Sequence, residues 1–174
     1  MPEFEIQPFP HPQGCRGYLV VDAASKEALV LDPHLDAVER IGWSVKEGGY
    51  EVRWVVDSHT HADHPSGSAP LATALGAARV AHPLAGHAGT TRHPEDHDRL
   101  ELGDDGLLVR YAPGHTPDHL VRLGGGQLFS GDTLLIGGVA RTDFLGGDAG
   151  VLFDSIHEVM LTLPDETRLW PGHD

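Results

Sequence analysis

A chain of 174 residues with 40% hydrophobic content has the size of one folded domain and enough apolar mass for a real core. A net charge of −14, from 26 acidic against 12 basic residues, argues against nucleic acid as a partner, since that binding leans on Lys and Arg. No apolar run approaches the ~18 residues of a membrane span and no charged-then-apolar start marks a signal peptide; Cys15, the single cysteine, excludes an intrachain disulfide and a cysteine-built zinc site, so the expected location is cytoplasmic.

In chain order, residues 1–14 contain four Pro and read as an extended lead-in. Residues 17–22 and 28–31 read as a hairpin turning at Ala24-Ser25-Lys26. The spacing of Leu35, Val38, Ile41, Gly42 and Val45 predicts a helix over 35–47, ended by Gly48-Gly49. The β-branched run 52–56 predicts a buried strand. A helix over 66–75 follows, stopped at Gly76, with its N-terminus toward the strand's end. Segment 83–98 carries His87, His93 and His97 with no periodic element to fix them, so it reads as a solvated loop rather than a second metal site. Residues 107–111, 120–123, 128–129 and 168–170 read as strands. A helix over 151–163, capped by Asp148 and stopped by Pro164, turns Val151, Leu152, Ile156, Val159, Met160 and Leu163 inward. Strands followed by helices in each of two halves predict an α+β domain with two sheets and helices outside. There is no close repeat and no low-complexity segment.

The chemistry sits at the strand ends. The strand at 52–56 runs through Asp57 into His59-Thr60-His61-Ala62-Asp63-His64, three imidazoles and a carboxylate in six residues. His59 and His61 alternate, so an extended backbone projects both to one side, while Asp63 and His64 turn toward a second position nearby. Gly114-His115-Thr116-Pro117-Asp118-His119, Ser130-Gly131-Asp132-Thr133 and Pro171-Gly172-His173-Asp174 repeat the pattern of a short strand ending in Gly with His or Asp; Gly permits the sharp turn. Strand ends meeting at one sheet edge gather His59, His61, Asp63, His64, His115, Asp132 and His173. Such a donor set suits zinc, iron(II) or manganese(II). His119 is left between a supporting role and a place on a strand or the surface. His11, His34 and His82 adjoin Pro in turns and carry no assigned chemistry.

The four motifs HTHADH, GHTPDH, GDT and PGHD, in this order and at these spacings, resemble the metallo-β-lactamase superfamily over almost the whole chain. That resemblance implies a four-layer αββα sandwich with metal at one rim of the two sheets. The stretch Gly137-Gly138-Val139-Ala140-Arg141-Thr142-Asp143-Phe144 is similar to that of the persulfide (sulfur) dioxygenases, where the related glyoxalase II enzymes usually carry a Gly-Arg-Phe-Phe-Glu-like segment. Two arrangements of the seven donors stand open. In one, His59, His61 and His115 hold a first zinc, Asp63, His64 and His173 a second, and Asp132 bridges, for hydrolysis of a thioester of glyoxalase II type. In the other, one Fe(2+) per chain binds His59, His115 and Asp132, with open positions for oxygen chemistry, while His61, Asp63, His64 and His173 orient ligands and waters.

The resemblance implies the second arrangement, with a low-molecular-weight persulfide and O2 as substrates and sulfite and thiol as products. Asp63 and Arg141 are the candidate catalytic residues. Arg141 is expected either to hold an anion near the mouth or to form a buried ion pair with Asp143 or Asp148; Phe144 is expected in the core. The assembly, monomer or homodimer, is open. Members of these groups continue past the position of Asp174, so the expectation is a single domain over 1–174 lacking the family's C-terminal tail.

Overall fold

Alternation of apolar side chains along the strands sets the layers. The computed structural model describes residues 4–173; the start of the expected lead-in, residues 1–3, and Asp174 lie outside the described residues. Strands β1 (Phe4–Pro10), β2 (Arg16–Asp22) and β3 (Glu27–Leu31) form a meander. Helix α1 (Val38–Gly48) leads to β4 (Glu51–Val56), and helix α2 (Ser68–Leu75) to β5 (Ala78–Val80), both strands adding in parallel. The second sheet contains β6 (Arg99–Leu100), β7 (Leu107–Tyr111), β8 (Leu120–Gly124) and β9 (Gln127–Gly131). A small hairpin, β10 (Leu134–Leu135) and β11 (Gly138–Val139), follows, then helix α3 (Ala149–Ser155) and β12 (Arg168–Pro171), which pairs parallel to β9. The sheet orders are β1-β2-β3-β4-β5 and β12-β9-β8-β7-β6.

In β2, Leu19 and Val21 pack toward Ile41, Val45 and Leu71 of the first helices, while Tyr18 and Val20 face the other sheet. Between the sheets, Val20, Leu29, Leu31 and Val56 meet Leu107, Val109, Leu120 and Phe129. On the far side, Leu152, Ile156 and Val159 cover Val121 and Leu128. The result is the four-layer αββα sandwich, with one buried face on each helix and two on each sheet.

Three segments depart from expectation. Part of the lead-in is a paired edge strand, β1, where Pro is tolerated because an edge donates to one neighbour only. The helix at 35–47 begins as a 3-10 turn (Leu35–Ala37) capped by His34, whose Nδ1 accepts from the Asp36 amide at 3.1 Å. The helix at 151–163 keeps its Asp148 cap but passes from α3 into a π turn over Ile156–Met160. The buried stripe there runs through Leu152, Ser155, Ile156, Val159 and Met160. Val151, a third of a turn away from Leu152, is exposed rather than inward. Segment 83–98 is loop apart from a 3-10 turn at Pro83–Ala85, and its histidines diverge: His87 toward Asp57, His93 onto the Ala81 carbonyl, His97 beside Asp96.

Candidate metal centre

The loop after β4 is anchored before it presents any ligand. Asp57, buried at the strand's end, accepts from the Ser66 and Ser68 hydroxyls at 2.6 Å each and from Arg79 Nη2 at 3.1 Å. The Ser58 amide donates to Asp32 Oδ1 at 2.6 Å. Both the amide and hydroxyl of Thr60 donate to Asp118 Oδ2 at 2.8 Å. Arg122, fully buried under this loop, donates to the Leu120 and Asp57 carbonyls, and burial pushes its guanidinium down to about 10. Asp32, Asp118, Arg79 and Arg122 had no signal in the sequence, because each acts across tens of residues on a partner no local pattern names.

On this platform His59, His115 and Asp132 converge, with ligand atoms all within 4.8 Å of one another. Asp132 Oδ2 lies 3.9 Å from His59 Nε2 and 3.8 Å from His115 Nε2, too far for hydrogen bonds and suited to an ion between them. His115 Nδ1 donates to the Arg141 carbonyl at 2.8 Å, which leaves Nε2 with the lone pair. His59 Nδ1 meets the Ser58 hydroxyl at 2.8 Å, and its buried Nε2 has no hydrogen-bond partner. Burial pushes the His59 pKa well below the usual histidine value, so it stands neutral, as a ligand must. Gly114, at φ +133°, is required here: a Cβ would fall on the Leu152 backbone, so the loop bearing His115 lies directly on α3.

His119 belongs to this centre. Its ring is fully buried, stacks on His59 with centroids 4.8 Å apart, and accepts from the Asp132 amide at Nε2, 3.0 Å away. Burial lowers its pKa to about 4, which keeps that nitrogen an acceptor at neutral pH. His119→Ala is expected to weaken metal affinity by about 10–100-fold, as loss of an outer-sphere support does. Competition against a chelator of known affinity checks it; an unchanged constant would reduce His119 to packing.

The remaining predicted residues form a second group. Asp63 Oδ2 accepts from His173 Nε2 at 2.9 Å, His64 Nδ1 at 3.1 Å and the Cys15 thiol at 3.1 Å. His173 Nδ1 donates to Asp132 Oδ1 at 2.9 Å, and these bonds to Asp132 and Asp63 raise His173 to about 10. Burial, with Asp63 adding, pushes the Cys15 thiol up to about 12. Cys15 therefore lies beside the site as a neutral thiol, a place its isolated position in the sequence did not signal. His61 Nε2 donates to Asp32 Oδ1 at 3.2 Å. Burial would lower His61, but this bond and the Asp32 charge raise it to about 9. His61 Nδ1 and His64 Nε2 are buried with no hydrogen-bond partner. Unsatisfied buried imidazole nitrogens beside three carboxylates are what a cation satisfies, so the donor set fits a divalent metal.

Arg141 corrects one expectation. Its side chain is exposed, not buried; Nε and Nη2 donate to the two oxygens of Asp143 at 2.6 Å each, while Asp148 caps α3 instead. Phe144 is half-buried rather than core, since it walls the site, edge-on to His115 with centroids 5.4 Å apart. A cavity of about 300 Å³ opens here beside Asp63, His115, Asp132 and His173.

An αββα sandwich with a His/Asp metal centre on its rim defines a metallo-hydrolase-like architecture, and residues 12–173 match the metallo-beta-lactamase superfamily, to which the chain belongs. It is similar to the mitochondrial persulfide dioxygenase ETHE1 of Bos taurus, 40% identical over 173 residues that cover 94% of this chain and 65% of that protein. It is also similar to hydroxyacylglutathione hydrolase 2 of Vibrio vulnificus (strain YJ016), 40% identical over 89% of this chain and 60% of that one. Among solved structures, ETHE1 from Myxococcus xanthus superposes with a TM-score of 0.90 at 35% identity, covering 98% of this chain and 76% of that one. The chain thus spans somewhat under two thirds of the length of these curated relatives. Among the described residues, no helix is long and apolar enough to cross a membrane.

Proposed function

We propose that the protein is a mononuclear non-haem iron persulfide dioxygenase, converting RSSH, O2 and water to RSH and sulfite as four electrons pass from sulfur to O2. The observation that carries this is the position of His173. Both its nitrogens are spent between Asp132 and Asp63, so His173 is no free donor, and the fully buried group whose ligand atoms lie within 4.8 Å of one another is His59, His115 and Asp132. A ferrous ion on two imidazoles and a carboxylate supplies open positions for a sulfur ligand and for O2. The likeness to two ETHE1 proteins supports the same reading.

Around that set the chain's own groups have distinct tasks. The Arg141 carbonyl and Ser58 aim the two imidazoles. Asp63 and His173 form a hydrogen-bonded pair that lines the cavity, placed to orient water for release of sulfite.

A second reading, a zinc-dependent thioester hydrolase of glyoxalase II type with one or two Zn(2+), draws support from the unpartnered His61 Nδ1 and His64 Nε2, which could serve two metals. Metal content by mass spectrometry on anaerobically purified protein, with O2 uptake on a persulfide, separates them. The expected result is about one iron per chain and persulfide-dependent uptake. His173→Ala is expected to keep about one metal per chain, with affinity weakened no more than about 10–100-fold. Two zincs in the native protein, one of them lost in His173→Ala, would overturn the dioxygenase reading.

A further inference from the structure

We propose that Cys15, Asp63 and His64 form a second metal site, one that takes a thiophilic divalent cation such as zinc or cadmium, whichever metal fills the first centre. Cys15 Sγ, a carboxylate oxygen of Asp63 and one ring nitrogen of His64 all lie within 4.8 Å of one another. The thiol already points at Asp63 Oδ2, 3.1 Å away. Zinc held by sulfur at about 2.3 Å and by oxygen at about 2.1 Å sets those two atoms roughly 3.6 Å apart, so the pair has to open by only about half an ångström. A second sign comes from His64. Its Nδ1 donates to Asp63, which leaves the lone pair on Nε2, and that nitrogen is buried with no hydrogen-bond partner on a side chain only 3% exposed. A cation gives this nitrogen its partner, replaces the proton that Sγ now donates, and is neutralised by thiolate and carboxylate together.

The backbone holds the thiol in place. Cys15 pairs with His173 in an antiparallel bridge, its carbonyl accepts from the His11 amide at 2.8 Å, and the next amide, that of Arg16, donates to the Gly172 carbonyl at 2.7 Å. Little chain freedom is therefore lost when the sulfur binds. Sulfur also separates this site from the first centre. His59, His115 and Asp132 offer nitrogen and oxygen alone, whereas a thiolate selects softer ions. The group of His11, His34 and Asp36 is less suited to a cation. Its two rings stack with centroids 3.8 Å apart and planes 10° from parallel, so their in-plane lone pairs cannot meet at one ion, and His34 Nδ1 is spent on the Asp36 amide. At the Cys15 site the cation takes over Asp63 Oδ2, the oxygen that His173 Nε2 now bonds, and so releases His173.

The test is a cadmium titration of protein whose first centre is already loaded, read by metal content and by ultraviolet thiolate-to-cadmium charge transfer. The expected result is about one cadmium per chain, bound with the charge-transfer band and without loss of the first metal. Cys15→Ser, which keeps a donor to Asp63, should weaken cadmium binding at least about tenfold, because a direct ligand is worth no less than an outer-sphere support. His173→Ala should bind cadmium as tightly as the native protein or more so, since Asp63 is then free of its bond; a site built on Asp63, His64 and His173 would lose the ion instead. The native titration decides even where a variant fails to fold. No cadmium beyond the first metal, cadmium bound without the band, or cadmium that only displaces the first metal overturns the proposal. So does native affinity in folded Cys15→Ser, or a loss in His173→Ala as large as that in Cys15→Ser.

Discussion

Asp57→Ala is expected to lower the melting temperature by roughly 6–20 °C, the equivalent of about 3–5 kcal/mol in a domain of this size. The carboxylate is essentially without solvent contact, and burial alone would raise its pKa; His87 nearby and the Ser66 and Ser68 hydroxyls hold it well below the usual carboxylate range instead. Removing it strands the Arg79 guanidinium, whose side chain is only 10% exposed, and two hydroxyls that aim at the vacated place. An uncompensated buried charge costs far more than the net worth of an intact pair. The same change frees the start of the His59–His64 turn and of α2, so metal occupancy should fall with stability. Thermal melts of Asp57→Ala beside Asp57→Asn check it. Asn keeps the acceptor oxygen and should lose less; a shift below about 2 °C for Ala would mean that water replaces the carboxylate and the anchor is dispensable.

The second large effect is on chemistry. Asp132→Ala should abolish stoichiometric metal binding and cut O2 uptake by about 10³-fold or more, since a metal ion's several kcal/mol of charge stabilisation goes with it. Asp132 is the one carboxylate of the buried triad, and its two oxygens serve different neighbours: Oδ2 faces His59 and His115, Oδ1 holds His173. Its backbone amide is held by His119 Nε2, which fixes the main chain here, and the bond from His173 Nδ1 to Oδ1 orients the carboxylate. Mass spectrometry and an oxygen electrode on the same preparation measure both quantities. Near-native iron in the Ala variant would show that the metal sits elsewhere, among Asp63, His64 and Cys15, the neighbouring group of possible ligands.

How far the sequence was readable follows from the range of each interaction. The strands ending in Gly with His or Asp are local patterns, and His59, His115, Asp132 and His173 do meet at one rim. The period-two alternation of β2 and the stripe of α1 likewise depend on neighbours a few residues away. What stayed hidden is long-range. Arg122 reaches back to the Asp57 carbonyl, Thr60 finds Asp118, and Cys15 finds Asp63, none of which a local pattern encodes. Very short strands such as β6 and β10 are too brief to show a period. The π turn after α3 was invisible because its stripe of Ile156, Val159 and Met160 mimics an ordinary helix. Of the two roles open for Arg141, the ion pair with Asp143 forms, but in solvent rather than buried, since both side chains are exposed and the guanidinium lies over the Phe144 ring.

The centre draws from both sheets: His59 closes β4, whereas His115 follows β7 and Asp132 follows β9. Much of what otherwise joins the two halves is apolar contact, with a few hydrogen bonds such as that from the Tyr18 hydroxyl to the Pro171 carbonyl. A cation held across that seam acts as a rivet, fixing the sliding coordinate that hydrophobic contact leaves soft. Free energy of ion capture is thereby also free energy of docking one half on the other. Loss of the ion would therefore be felt first in how the halves align, ahead of either one's internal order.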